Sequence, residues 1–165
     1  MSHSAQLAGI KAIALDVDGV LTDGGFWWGP KGEEWKRFSF ADVMGISLAT
    51  KAGLVIALIS GEDSPLVDRY AAKMNIGEVE KNCKNKAEAV RSLAERRGLS
   101  LSEICFMGDD VNDLTAMDVA GLAAAPANAR PEALQKADFV TTGNGGNGAV
   151  RELVDAILLA QKERR

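Results

Sequence analysis

Uninterrupted apolar runs recur along the chain, and the apolar residues between them follow a helical spacing. The runs predict strands at 10–15, 54–59 and 104–107, with weaker candidates at 121–125 and 138–142. Because the main runs are almost entirely apolar rather than alternating, they are typical of strands buried on both faces. That is the pattern of a parallel sheet covered by helices.

The helical spacing predicts helices at 42–51, 64–74, 84–97, 111–120 and 150 to about 162. The second has a clear start, because Ser64 is a favourable N-cap and Pro65 suits the first helical position. Strands that alternate with helices indicate βαβ units, so we expect an α/β fold with a mainly parallel sheet. We expect one domain over residues 1–165, since no linker divides the sequence.

The segment 24–38 breaks this alternation and predicts a protruding β-hairpin. Aromatic stretches flank the turn Gly29-Pro30-Lys31-Gly32. All three tryptophans, Trp27, Trp28 and Trp35, lie on this element, which is too short to bury them alone. Two interpretations stay open: the tryptophans pack on their own domain, or they meet a neighbouring subunit.

The composition indicates which kinds of partner and which cellular compartment to expect. The 165 residues carry a net charge of -4, and the basic residues are dispersed except at 162–165, which argues against nucleic acid as a partner. No apolar run is long enough to span a bilayer, and residues 1–9 lack the apolar core of a secretory signal. We therefore expect no membrane association and a cytoplasmic location.

The predicted strands end in residues that bear chemistry: Asp16, Asp18, Ser60, Asp109, Asp110 and Asp113. Because the carboxyl ends of parallel strands meet at one edge of a sheet, these side chains are expected to converge. Clustered carboxylates repel one another unless a cation lies between them. With His3 the only histidine, the oxygen ligands favour Mg²⁺ over zinc, and a Ser-His-Asp triad is excluded.

A magnesium site beside a carboxylate nucleophile suits phosphoryl transfer. In this hypothesis Asp16 attacks phosphorus, and Asp18 donates a proton to the leaving oxygen and later accepts one from water. Ser60 and the backbone N–H groups around Gly61 hold phosphate oxygens. Lys86, at the start of a predicted helix, is the best source of further positive charge, although two other lysines lie nearby.

Four short motifs resemble those of the haloacid dehalogenase superfamily of phosphatases, in the same order. They are Asp16-Val17-Asp18-Gly19-Val20-Leu21-Thr22-Asp23, Ser60, Lys86 and Gly108-Asp109-Asp110-x-x-Asp113. The resemblance implies a Rossmann-like three-layer sandwich and an aspartyl-phosphate on Asp16. It also implies that Mg²⁺ binds the side chains of Asp16 and Asp109 and the backbone carbonyl of Asp18. The supporting residues that it implies are Asp110, Asp113 and Gly61.

No large cap insertion is expected. The hairpin directly after the first motif and the segment 145–152 resemble those of the 3-deoxy-manno-octulosonate 8-phosphate phosphatases and their nine-carbon keto-sugar-acid relatives. This resemblance implies a phosphorylated sugar acid as substrate and a homotetramer whose hairpins meet at the subunit interfaces. The chain departs from the octulosonate pattern with Ala41-Asp42 for Arg-Asp and with Ser60-Gly61-Glu62 for Thr-Gly-Arg, a glutamate that resembles the nine-carbon group. The candidate substrate contacts are Asp42, Ser47, Glu62, Arg69 and Lys73.

Other interpretations stay open. The chain also resembles the C-terminal module of acylneuraminate cytidylyltransferases, which suggests a non-catalytic or regulatory domain, although an intact Asp18 argues against this. A phosphatase for a different small phosphometabolite is a second alternative. The loop 143–148 is either a cover over the active site or a flexible turn.

Overall fold

The computed structural model of the chain describes residues 3–164 and is built on a six-stranded sheet. In chain order, the strands are β1 (Ala12–Leu15), β2 (Trp27–Trp28), β3 (Glu34–Trp35), β4 (Val55–Ile59), β5 (Glu78–Glu80), β6 (Ile104–Met107), β7 (Leu122–Ala125) and β8 (Phe139–Val140). The order across the large sheet is β5-β4-β1-β6-β7-β8, and every neighbouring pair is parallel. The prediction of an α/β fold with a mainly parallel sheet is confirmed.

The central position of β1 places the candidate residues together. The chain runs outward from β1 through β4 to β5, and then crosses to β6 on the opposite side of β1. The carboxyl ends of β1, β4 and β6 are therefore adjacent at the point where the strand order reverses. Parallel sheets bind their ligands beyond that edge.

Helices cover both faces of this sheet. They are α1 (His3–Gly9), α2 (Phe40–Lys51), α3 (Pro65–Met74), α4 (Lys86–Arg97), α5 (Leu114–Val119), α6 (Pro131–Lys136) and α7 (Ala149–Glu163). The side chains of β1 show why apolar residues fill every position. Ile13 and Leu15 pack into a core with α1, α2, α3 and α7, whereas Ala12 and Ala14 pack into a second core with α4, α5 and α6. These two cores make the three-layer sandwich.

The protruding hairpin is present within the predicted segment. Strands β2 and β3 are antiparallel, and Trp27 lies opposite Trp35. The exposed fractions of Trp27, Trp28 and Trp35 are 58%, 71% and 53%, so packing on their own domain leaves all three largely in solvent. No larger element is inserted between β1 and α2, in agreement with the prediction that a large cap is absent.

Three elements of the structure were absent from the sequence prediction: α1, β5 and α6. Strand β5 is an edge strand of three residues with Val79 as its only apolar one, which leaves no apolar run to recognise. The predicted helix 111–120 is divided, because Asp110 caps a short 3-10 turn that precedes α5. Within residues 3–164, no helix is both long and apolar enough to cross a membrane.

Candidate active site

Asp16 follows β1 directly and forms a buried ion pair with Lys86. The Lys86 Nζ lies 2.8 Å from Asp16 Oδ1 and 2.6 Å from Asp113 Oδ1, and the Lys86 side chain is only 2% exposed. Lys86 is the first residue of α4, whose N-cap Asn85 accepts a hydrogen bond from the Glu88 N–H group. The start of this helix therefore directs one lysine between two carboxylates.

The two lysines nearby in sequence have other partners. The Lys81 Nζ pairs with Asp63 and Asp68, and the Lys84 Nζ donates a hydrogen bond to the Gly61 carbonyl oxygen. Of the three candidates, Lys86 is the one that contacts the predicted nucleophile.

Asp109 and Asp113 are brought to Asp16 by the turn after β6. Carboxylate oxygens of the three residues lie within 4.8 Å of one another. Both oxygens of Asp113 are already engaged, because Oδ1 faces Lys86 and Oδ2 accepts the Asp109 N–H at 2.8 Å. Asp16 and Asp109 are thus the pair left to bind a cation, while Asp113 supports the turn.

The electrostatics of the site fit a divalent cation. Burial, with a further contribution from Asp113, raises the pKa of Asp16 to about 8, although Lys86 acts in the opposite direction. Burial, followed by Asp113 and Asp110, raises the pKa of Asp109 to about 6. One lysine therefore does not balance the carboxylates, and a hard cation with oxygen ligands would restore their charged forms.

Burial alone would lower the pKa of Lys86, but its two carboxylate partners outweigh that effect and hold the pKa above its usual value. Lys86 is therefore a permanent cation next to Asp16. Such a charge suits the binding of a phosphoryl group in a water-poor site.

Gly19 allows the first motif to approach Asp109 closely. Its φ is +91°, in the region that favours glycine, and a Cβ there would overlap the Asp109 carboxylate. The loop is closed by Thr22, whose Oγ1 accepts the Gly19 N–H at 3.2 Å and the Gly24 N–H at 3.1 Å. The glycine of the Asp-x-Asp-Gly sequence is thus required for the close packing of this loop against Asp109.

Ser60 lies at the end of β4 and is buried. Its Oγ accepts the backbone N–H of Glu62 at 3.1 Å, which shapes the turn that follows. Gly61 and Glu62 line the cleft itself. The structure thus assigns Ser60 to the base of this turn, and its contact with phosphate stays a prediction.

An open cleft of about 450 Å³ lies over these groups. Its lining residues are Asp16, Asp18, Gly19, Asp23, Gly24, Gly61, Glu62, Asp109, Asp110, Asn112, Asn128 and Arg130. Most of them are polar, and Arg130 is a cation at the rim that the sequence analysis did not select. The lining suits a small, charged, water-soluble ligand.

Asp18 has a partner that the sequence analysis also missed. The Lys36 Nζ, from the residue after β3, lies 2.8 Å from Asp18 Oδ1 and donates to Oδ2 at 3.0 Å. The hairpin turn separates the two residues, so no local spacing indicated this contact. In the structure, the Lys36 side chain is buried by this contact, although the hairpin around it is largely exposed.

The loop 143–148 packs on the first motif rather than extending into solvent. The Gly146 N–H donates to the Val20 carbonyl oxygen at 2.9 Å, and the Gly145 N–H donates to Asn128 Oδ1 at 2.9 Å. A Cβ at Gly145 would overlap the Gly19 carbonyl oxygen. The loop therefore packs against the residues that follow Asp18, and its role as a cover or as a flexible turn stays a prediction.

Asp42 needs a correction, because its carboxylate is fully buried and inaccessible to a substrate. Its two oxygens accept the backbone N–H groups of Gly148 at 3.2 Å and Arg151 at 3.0 Å, at the start of α7. Burial raises the pKa of Asp42, against the effect of these donors. Asp42 joins α2 to α7 by satisfying the first backbone donors of that helix.

The remaining predicted contacts lie apart from the acidic cluster. Arg69 and Lys73 line a second cavity of about 410 Å³ beside the hairpin, together with Trp35, Lys36, Phe38, Phe40, Val43, Leu66 and Tyr70. Ser47 lies half-buried on α2, away from the lining of both cavities. The Tyr70 hydroxyl is buried, and among the described side chains it is an unpartnered polar group.

Comparison with known proteins decides the family. A sequence model of the haloacid dehalogenase-like hydrolases matches residues 41–153 of this chain. The chain belongs to this family. The prediction of the superfamily, and of an enzyme that catalyses hydrolysis, is confirmed.

Relatives within the family are named as phosphatases. The 3-deoxy-D-manno-octulosonate 8-phosphate phosphatase KdsC of Escherichia coli (strain K12) is 38% identical over 157 residues, which cover 95% of this chain and 84% of the relative. The resemblance stated from the motifs therefore extends along nearly the whole chain.

Solved structures agree. The crystal structure of 3-deoxy-D-manno-octulosonate 8-phosphate phosphatase from Yersinia pestis has a TM-score of 0.94 at 35% identity and covers 97% of this chain and 86% of its own. The Moraxella catarrhalis phosphatase of the same name, in complex with magnesium, phosphate and KDO, has a TM-score of 0.94 at 35% identity. That alignment covers 97% of this chain and 92% of the other.

Proposed function

We propose that this chain is a magnesium-dependent phosphomonoester hydrolase that acts on a phosphorylated keto-sugar acid through an aspartyl-phosphate on Asp16. The observation that supports this most directly is the convergence of Asp16, Asp109 and Lys86 at one edge of the sheet. A carboxylate between a lysine and a second carboxylate suits attack on a phosphoryl group that a dication also binds.

Each residue has a distinct role in this reaction. Asp16 attacks phosphorus, and Asp18 gives its proton to the leaving oxygen and later takes one from the attacking water. Lys86 balances the charge of Asp16 and of the phosphoryl oxygens. Asp16 and Asp109, with the Asp18 carbonyl oxygen as a further ligand, would hold Mg²⁺, which would supply electrophilic stabilisation of the phosphoryl oxygens.

The substrate we favour is 3-deoxy-D-manno-octulosonate 8-phosphate. The relatives in Escherichia coli and Yersinia pestis bear the name of that activity, and the Moraxella catarrhalis structure contains KDO. A nine-carbon keto-sugar-acid 9-phosphate is the second candidate, because Glu62 lines the cleft at the position where the octulosonate pattern has arginine. Glu62, Arg69 and Lys73 stay proposed substrate contacts.

A phosphate-release panel tests this proposal. The purified chain is assayed with the eight- and nine-carbon substrates, with hexose phosphates and with p-nitrophenyl phosphate, each in Mg²⁺ and in EDTA. We expect hydrolysis that requires Mg²⁺ and the highest kcat/KM for the eight-carbon substrate. Absence of phosphate release from every compound would favour the non-catalytic alternative, and a preference for hexose phosphates would favour a different phosphometabolite.

We also propose that the chain forms a homotetramer through its hairpins. The three hairpin tryptophans, each more than half exposed, make an apolar surface of a kind that usually marks an interface. The Phe26 ring contacts the Trp28 ring at a centroid distance of 4.8 Å with the planes tilted by 46°, so Phe26 extends this surface. Light scattering on the purified chain tests this, and a monomer mass would contradict it.

A further inference from the structure

Lys36 lies on the hairpin, outside the loops at the strand ends, and its ammonium group contacts Asp18, the proposed acid/base residue. Its Nζ lies within 3.0 Å of both carboxylate oxygens of Asp18, and Glu34 is a more distant partner at 3.5 Å. The Lys36 side chain is only 4% exposed, although its neighbours on the hairpin face solvent. A lysine this buried requires a carboxylate partner, and Asp18 is that partner.

The two buried lysines of the site divide the carboxylates between them. Lys86 contacts Asp16 and Asp113, whereas Lys36 contacts Asp18. Because one ammonium group binds both oxygens of Asp18, rotation of that carboxylate is restricted. The Asp18 side chain remains 29% exposed and lines the cleft, so a substrate can still reach it.

We propose that Lys36 is a positioning residue for Asp18 in proton transfer to the leaving group. The inference rests on the proposed function. As the bond between phosphorus and the leaving oxygen breaks, the Asp18 carboxyl proton moves to that oxygen. Asp18 becomes a carboxylate, which is the form that the Lys36 ammonium contacts in this structure. The hairpin thus contributes a positioning residue to the active site of its own chain.

Leaving-group dependence separates this role from a general structural one. The release of p-nitrophenolate needs no proton, whereas the release of a sugar alkoxide does. The value of kcat/KM reports the steps up to phosphoryl transfer and so contains the protonation step. We expect Lys36→Met to lower kcat/KM roughly 10- to 100-fold for the sugar phosphate that the wild type hydrolyses fastest. For p-nitrophenyl phosphate we expect a change of less than about threefold.

Matched variants sharpen the test. Arg37→Met removes the adjacent cation, which donates to the Gly146 carbonyl oxygen at 2.9 Å, and should leave the ratio of the two kcat/KM values unchanged. Lys36→Arg should restore part of the sugar phosphate activity. In an Asp18→Asn background, Lys36→Met should cause no further loss. Lys36→Gln is a second neutral variant should Lys36→Met not fold, as judged by circular dichroism.

Equal losses for the two substrates, or no loss for either, would overturn the proposal. Additive losses in the Asp18→Asn background would do the same. If the wild-type chain hydrolyses neither substrate, the proposed function fails instead, so the two failures are distinguishable.

Discussion

Lys36 lines the apolar cavity and pairs with Asp18, which lines the acidic cleft. The two regions differ in how far their polar and apolar groups are satisfied within one chain. In the cleft, Lys86 and Lys36 pair with carboxylates, and backbone hydrogen bonds hold the turns. In the cavity, the Tyr70 hydroxyl is buried with no hydrogen-bond partner among the described residues, and Phe40 is 73% exposed. The protein groups of the cleft are arranged for a cation and a substrate, whereas part of the apolar surface of the cavity is exposed to solvent in a single chain.

This difference follows from the elements that form each region. Loops at adjacent ends of parallel strands converge by the geometry of the sheet, so the cleft is determined within the domain. The cavity is formed by a short hairpin and the exposed sides of α2 and α3. We therefore expect substitutions in the cleft to affect chemistry and cation binding, and substitutions around the cavity to affect assembly.

Of the substitutions considered, Asp16→Asn is expected to lower kcat the most. Loss of the nucleophile should lower kcat by at least about 10³-fold, and stopped-time phosphate release measures this. The fold should persist, because a neutral amide removes a buried charge. A variant that retains more than a tenth of the wild-type rate would contradict the assignment of the nucleophile.

Lys86→Met should have the next largest effect, since it leaves two buried carboxylates without their cation. We expect kcat to fall roughly 10²- to 10³-fold. We also expect the free energy of unfolding to fall by about 3 kcal/mol in urea denaturation without Mg²⁺. Lys84→Met is the matched control, because Lys84 is exposed, and its free energy of unfolding should change by less than about 0.5 kcal/mol. Equal stability losses in the two variants would contradict the account.

The stability of the metal-free protein should depend on pH in a direction set by Asp16. Because the folded-state pKa is raised from 3.8 to about 8, stability should fall as pH rises through this interval. Asp109, raised to about 6, contributes in the same direction. Glu78, Glu103 and Glu152 have lowered pKa values, so their contribution is lost only as pH falls below about 4.5.

Melting temperatures recorded across that pH interval in EDTA and in Mg²⁺ measure the effect. Mg²⁺ should flatten the decline, and Asp16→Asn should reduce it without metal. A decline of the same slope in all three samples would show that another group is responsible.

The smallest effect on a single chain is expected at the cavity. Trp35→Ser should lower the free energy of unfolding of the isolated chain by about 1 to 2 kcal/mol at most, because the side chain is already 53% exposed. It should nevertheless shift the assembly to lower mass in light scattering. Leu159→Ser is the control, since Leu159 is 59% exposed on α7 and lies away from the cavity. Equal effects of the two substitutions would argue against a specific interface.

Most of the sheet and of the cleft could be predicted because each depends on local sequence. The strands β1, β4 and β6 are buried on both faces, so they are continuous apolar runs, and their ends identify Asp16, Ser60 and Asp109. The helix start at Ser64 was also local, and its Oγ accepts the Leu66 N–H as expected of an N-cap.

The rest depended on contacts between distant segments. Asp42 resembles any acidic residue in the first turn of a helix, and only the arrival of α7, more than a hundred residues later, buries it. Lys36 and Asp18 are 18 residues apart in sequence, and no periodicity encodes a contact over that separation. The structural role of Asp42 and the contact of Lys36 with Asp18 were therefore identified only from the structure.

Trapping the phosphorylated residue tests the central claim most directly. Wild-type enzyme mixed with substrate and Mg²⁺ is quenched with borohydride, which reduces an aspartyl-phosphate to homoserine, and the peptides are sequenced by mass spectrometry. We expect homoserine at Asp16, and none in the Asp16→Asn variant. Turnover without homoserine at Asp16, or homoserine at another aspartate, would contradict the account.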